Sequence, residues 1–137
     1  MAESFEHHKF VEKIYDYVRQ NMVDPESASQ IKAELYDCER PQLFNGSFIP
    51  DVLYRNTEKL IIGEAKTFDD YKTEHSYQQY ESYLNECVNF PGEATMIICL
   101  PWELFISAQN HLKRLKMKYK TKTKIVILSD NDKEAMI

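Results

Sequence analysis

Three ionisable residues stand close together in one short segment. From Ile49 to Lys66 the chain reads IPDVLYRNTEKLIIGEAK, with Asp51 after Pro50 and with Glu64 and Lys66 flanking Ala65. Glu64 and Lys66 are two apart, so in an extended strand both side chains leave the same face. Two β-like runs, 48–55 and 59–67, are joined by the very short link Asn56-Thr57-Glu58, which by spacing is a hairpin. With Thr57-Glu58 as its loop, Asn56 pairs with Lys59, and the register counted back from there sets Asp51 opposite Glu64. Two carboxylates and one ammonium then share a patch of sheet. Close carboxylates repel unless a cation joins them. Oxygen donors suit a hard ion, and Mg²⁺ is commonly held by one or two carboxylates with waters and substrate phosphate. Such an ion lowers the pKa of a bound water and polarises a phosphodiester. Lys66 would stabilise charge on a phosphoryl group or orient the attacking water. No Ser or Cys nucleophile is needed. The ordinary alternative is an ion pair on a wet sheet face. Against it, the strand LIIGEAK is apolar until charges close it, and costly groups at the end of a buried strand mark a site.

The elements that must position these residues follow from periodicity. Val11, Ile14, Tyr15, Val18 and Met22 describe an amphipathic helix over about 5–22, ended by Asp24-Pro25. Residues 31–36 alternate as a strand, and 41–47 are turn-rich. After the hairpin, Tyr77, Tyr80, Leu84 and Val88 share one face of a helix near 74–89. Thr73 is its candidate cap and Pro91-Gly92 its stop. The continuous apolar run 95–100 is a buried strand. Leu104, Phe105, Ala108, Leu112, Leu115 and Tyr119 mark a third helix, and 125–128 a last strand. The tail 130–137 is expected to fray. The order αβββαβ, then αβ, predicts an α/β domain with a central mixed β-sheet flanked by helices.

A chain of 137 residues is one domain's worth, with no internal repeat, and is long enough to bury a core without staples. No apolar run approaches the roughly 18 residues of a membrane helix, and MAESFEHHKF has no apolar signal-peptide core. Cys38, Cys87 and Cys99 form no CxxC pair and read as reduced thiols in packing positions, so the expected setting is cytoplasmic. Trp102, after Pro101, reads as packing, while Tyr71, Tyr77 and Tyr80 offer aromatic surface or core near the proposed site. The net charge is −5, but unevenly spread. Residues 113–124, KRLKMKYKTKTK, hold seven of the 17 basic residues and none of the 22 acidic ones. Lys113, Arg114, Lys116, Lys118 and Lys120 within it are candidate phosphate contacts. A solvated helix end and a guarded edge strand are the plain alternative.

The combination of Pro50-Asp51, hairpin and Glu64-Ala65-Lys66 resembles the PD-(D/E)XK nuclease superfamily, which has the restriction-endonuclease-like fold. The resemblance implies that Asp51 and Glu64 bind Mg²⁺ (with Mn²⁺ as substitute), that the carbonyl of Ala65 adds a ligand, and that Lys66 assists the water. Gln79 and Tyr83 are four apart on one helical face. They are similar to the Gln-x₃-Tyr of helicase–nuclease repair domains, where the Gln reaches the active site and the Tyr braces it or the DNA. Gln78 has no Tyr four later. Small bacterial members also carry a Gly shortly before Pro-Asp, as Gly46 is here. By the same analogy Asp70 and His75 line the cleft, while Asp70 as a loop support and Thr73 and Ser76 as helix caps are the plainer roles. Some branches add an acidic metal ligand from the first helix. Glu6 and Glu12 are the candidates, Glu12 the favoured one. The adjacent His7 and His8 point to different helix faces and make no metal pair by spacing. The resemblance therefore implies a Mg²⁺-dependent nuclease acting on nucleic acid, DNA before RNA, with a homodimer as a further expectation. The alternative is a catalytically silent nuclease-fold subunit for binding or regulation within a larger repair or defence assembly.

Overall fold

A computed structural model describes residues 4–42, 48–71 and 74–137. Gly46 and Thr73, to which the sequence assigned roles, lie outside the described residues. Ser4 opens the first helix: its Oγ accepts the His7 N–H at 3.0 Å, closing one of the free donors of the first turn. That helix, α1 (Phe5–Asn21), is followed, among the described residues, by 3-10 turns over Pro25–Gln30 and Trp102–Leu104, six strands and two more helices. They are β1 (Lys32–Ala33), β2 (Val52–Arg55), β3 (Lys59–Ala65), α2 (Glu74–Asn89), β4 (Glu93–Leu100), α3 (Phe105–Tyr119), β5 (Lys124–Ser129) and β6 (Glu134–Met136). The six strands form one mixed sheet in chain order. β3, β4 and β5 run parallel at its centre, and β1, β2 and β6 pair antiparallel at its edges.

The central strands are buried on both sides, as their near-continuous apolar runs require. Ile61, Ala65, Ile97, Cys99, Val126 and Leu128 face α1, which packs Phe10, Val11, Ile14 and Val18 onto them. Leu60, Ile62, Met96, Ile98, Ile125 and Ile127 face α2 and α3. Gly63 sets the distance of α1 from the sheet. A Cβ there would lie 2.6 Å from Ile14 Cγ2 and 3.0 Å from Val52 Cβ, so any side chain would push the helix away.

Three expectations about elements are corrected. The strand foreseen over 31–36 shrinks to two residues, because the chain turns back through Leu35–Cys38, with Ala33 N–H donating to Glu39 O at 2.9 Å. β2 starts only at Val52, since Pro50 has no N–H for a ladder. The tail does not fray. β6 pairs with β5, and Ile125 and Ile137 exchange backbone hydrogen bonds of 3.0 and 2.9 Å. Trp102 also departs from its expected packing: it is 54% exposed after β4, while its backbone N–H is held by Asp130. Tyr71 and Tyr80 are buried, between α2 and α3, not displayed. Among the described residues no helix is long and apolar enough to cross a membrane.

Candidate active site

The hairpin loop fixes the register on which the site depends. Asn56 Oδ1 accepts the N–H groups of Glu58 (2.8 Å) and Lys59 (2.7 Å), so the turn closes where the sequence placed it. The ladder pairs Arg55 with Leu60 and continues to Val52 with Gly63. One step further, Asp51 N–H donates to Gly63 O at 3.0 Å, and the Ala65 N–H donates to Asp51 Oδ2 at 2.8 Å. Asp51 and Glu64 therefore meet across the strand ends. Lys66 stays in line beyond β3 because its N–H donates to Cys99 O at 2.9 Å.

All three side chains are buried, at 6% exposure for Asp51, 4% for Glu64 and 6% for Lys66. Lys66 Nζ lies 3.6 Å from Glu64 Oε2 and donates to Gln79 Oε1. Tyr83 OH donates to Glu64 Oε1 at 3.0 Å. Gln79 and Tyr83 thus reach the strand residues from one face of α2, while Gln78 points to solvent. Burial, and then the charge of Asp51, push the Glu64 carboxyl well above the usual carboxylate range against the pull of Lys66. Burial and the neighbouring Glu64 charge raise the Tyr83 phenol, so it remains a donor.

Asp51, Glu64, Ala65, Lys66 and Gln79 floor a cleft of about 490 Å³, with Tyr83 behind Glu64. His7 and Glu34 line it near Asp51; Asp70, His75 and Ser76 line it beside α2. The Asp70 carboxylate accepts from Thr67 Oγ1 at 3.0 Å, and its carbonyl accepts from Ser76 Oγ at 2.6 Å. Asp70 thus both supports the loop and borders the cleft. The exposed His75 ring stands edge-on to Phe48, with ring centroids 5.3 Å apart.

The chain matches no family model, no curated protein and no solved structure.

The geometry of the cleft brings together Asp51, Glu64, Ala65, Lys66, Gln79, Tyr83 and His75. It does not bring in Glu12, which is exposed on the far side of α1, 3.9 Å from His8. The helix turns about 100° per residue, and Val11, not Glu12, falls on the face that meets the sheet. The acidic position is filled differently: His7, buried, sets Nε2 at 3.3 Å from Asp51 Oδ2. Its signal was a polar residue on the apolar stripe His7, Phe10, Val11, Ile14, Val18, which the adjacency of His8 obscured. Lys113, Arg114, Lys116, Lys118 and Lys120 do not line the cleft. The parallel order of β3, β4 and β5 leads the C-terminal end of α3 and the start of β5 toward the other end of the sheet.

The donor set can be tested against a divalent ion. Burial and the Asp51 charge hold the Glu64 carboxyl above its normal range although Lys66 stands 3.6 Å away, an environment that a divalent cation would reverse. Among the described residues no group of three or more His, Cys, Asp or Glu side chains is arranged to hold a metal. Two carboxylates fit Mg²⁺, which keeps several waters, better than an ion that needs a full protein cage.

Proposed function

We propose that this chain is a Mg²⁺-dependent nuclease that hydrolyses phosphodiester bonds, with DNA as its substrate. The observation that carries the reading is the convergence of Asp51, Glu64 and Lys66, buried at the floor of one open cleft and interlocked with Gln79 and Tyr83. Asp51 and Glu64, with the carbonyl of Ala65, would hold the ion. Bound there, Mg²⁺ supplies an activated water and neutralises phosphoryl charge. The chain's own groups do the rest. Lys66 brings an ammonium to where charge develops on the phosphoryl oxygens. Gln79 fixes that ammonium, and Tyr83 orients the Glu64 carboxylate. His7 and the Ala65 N–H hold Asp51 Oδ2. A mixed sheet with helices on both faces and a Glu-Ala-Lys closing a central strand supports a restriction-endonuclease-like core.

A second reading has its own observation. Among the described residues the cleft border carries Glu34 and Asp70 beside Asp51 and Glu64, against Lys66 alone among Lys and Arg, and the chain is acidic overall. This favours a silent nuclease-fold subunit. Incubation of plasmid, linear and single-stranded DNA with Mg²⁺ or Mn²⁺, with and without EDTA, separates the two. The nuclease cuts only with the ion, and Lys66→Ala lowers the rate at least about 100-fold, the cost of removing one strong charge stabiliser. Equal cutting by both proteins, or none by the parent, rejects the proposal.

A further inference from the structure

The strongest feature outside the cleft is the basic surface at the other end of the sheet. Glu64 pairs with Ile98, whereas Lys124 pairs with Thr95. The start of β5 is therefore set back about 10 Å along the strands, at roughly 3.3 Å per residue. Lys113 and Arg114 stand exposed along α3, and the chain then passes through Lys120 into a hollow of about 320 Å³ lined by Thr121, Lys122, Thr123 and Lys124. Two of the basic groups are partly neutralised: Lys118 lies 2.7 Å from Glu81, and Lys124 lies 3.9 Å from Glu93. Lys113, Arg114, Lys120 and Lys122 make no ion pair within the described residues.

Two observations set this surface apart from an ordinary solvated helix end. Lys120 caps α3 in the left-handed region, at φ 48° and ψ 43°, where glycine would be unstrained. A charged residue occupies a position where a side chain costs backbone energy. The loop after it is also ordered. Thr123 N–H donates to Thr121 Oγ1 at 3.1 Å, and the Lys120 N–H is satisfied by the carbonyls of Lys116 and Met117.

We infer that this surface is a separate anchoring site for a nucleic-acid phosphate backbone, built from Lys113, Arg114, Lys120 and Lys122. The acidic cleft border repels a polyanion until a cation arrives, so binding strength has to come from elsewhere on the molecule. The segment itself carries no acidic residue, and the carboxylates beside it, Glu81 and Glu93, are taken up by Lys118 and Lys124, which leaves Lys113, Arg114, Lys120 and Lys122 to meet a polyanion. Contacts of this kind position a strand without reading its bases. The need for an anchor rests on the nuclease reading; the salt-dependent binding that tests it is measured apart from cleavage.

The test is binding of a short random-sequence DNA duplex to the full chain in EDTA, followed by fluorescence anisotropy across a salt series. Each phosphate contact contributes about −0.9 to the slope of log affinity against log salt. Lys120→Gly should make the slope shallower by about 0.9 while raising the melting temperature, because the strain is relieved. Adding Lys113→Gln, Arg114→Gln and Lys122→Gln should bring the total loss to about 3.6. Unchanged affinity and slope in the fourfold variant overturn the anchor, as does a parent slope near zero. Cleavage that fails while salt-dependent binding stands refutes the cleft reading alone.

Discussion

The two ends of the sheet handle charge in opposite ways. At the end where β3 stops, Asp51, Glu64 and Lys66 are buried, and each is tied to a neighbour: Asp51 to His7 and the Ala65 N–H, Glu64 to Tyr83, Lys66 to Gln79. At the end where β5 starts, the lysines are exposed and few are paired. Buried charges with specified partners are costly and hard to replace, whereas exposed ones are nearly free and interchangeable. The first arrangement suits chemistry at a defined point; the second suits attraction over an area. A substitution at one end should therefore behave unlike a substitution at the other.

The sharpest contrast should come from Gly63→Ala. Its Cβ would meet Ile14 and Val52, lift α1 and draw His7 from Asp51. We expect a loss of about 1–3 kcal/mol, read as a lower denaturation midpoint in urea, together with loss of cleavage. A midpoint equal to the parent's would show that α1 is not set by this contact. Glu64→Gln should act the other way on stability. The Glu64 carboxyl is raised by burial and by Asp51, so the folded state holds its proton above the unfolded range near 4.5. The stability this confers is complete below that range and disappears as pH rises through the folded value. In EDTA at neutral pH the Gln variant should melt a few degrees higher than the parent, with the gap closing in acid, while cleavage is lost. A gap that widened in acid would reverse the assignment. Smallest of all, Lys122→Gln at the far end should change the unfolding free energy by no more than about 0.5 kcal/mol. A larger change would mean that this lysine is part of the fold and not only of a surface.

What was legible in the sequence was what local geometry decides. The hairpin register was readable because Asn56 closes the turn within its own three residues. Gln79 was preferred to Gln78 through the resemblance, which pairs a Gln with a Tyr four residues later, and α2 turns Gln79 and Tyr83 to one buried face. What was not legible depends on chain segments far apart. His7 reaches Asp51 only because Gly63 lets α1 sit close to β3. The basic strip is 47 residues or more beyond Lys66 in the chain, and only the parallel order of the strands turns it toward the opposite end. β6 forms because β5 offers an open edge, a fact no property of the tail itself records.

On the proposed function, Asp51 and Glu64 close on a divalent ion. Titration of Mg²⁺ into the full chain by calorimetry tests it most directly, with Asp51→Asn, verified as folded by circular dichroism, alongside. The parent should give a saturable heat for one ion and a higher melting temperature in its presence, and the variant should give neither. Equal heats and equal melting temperatures in the two proteins would contradict it.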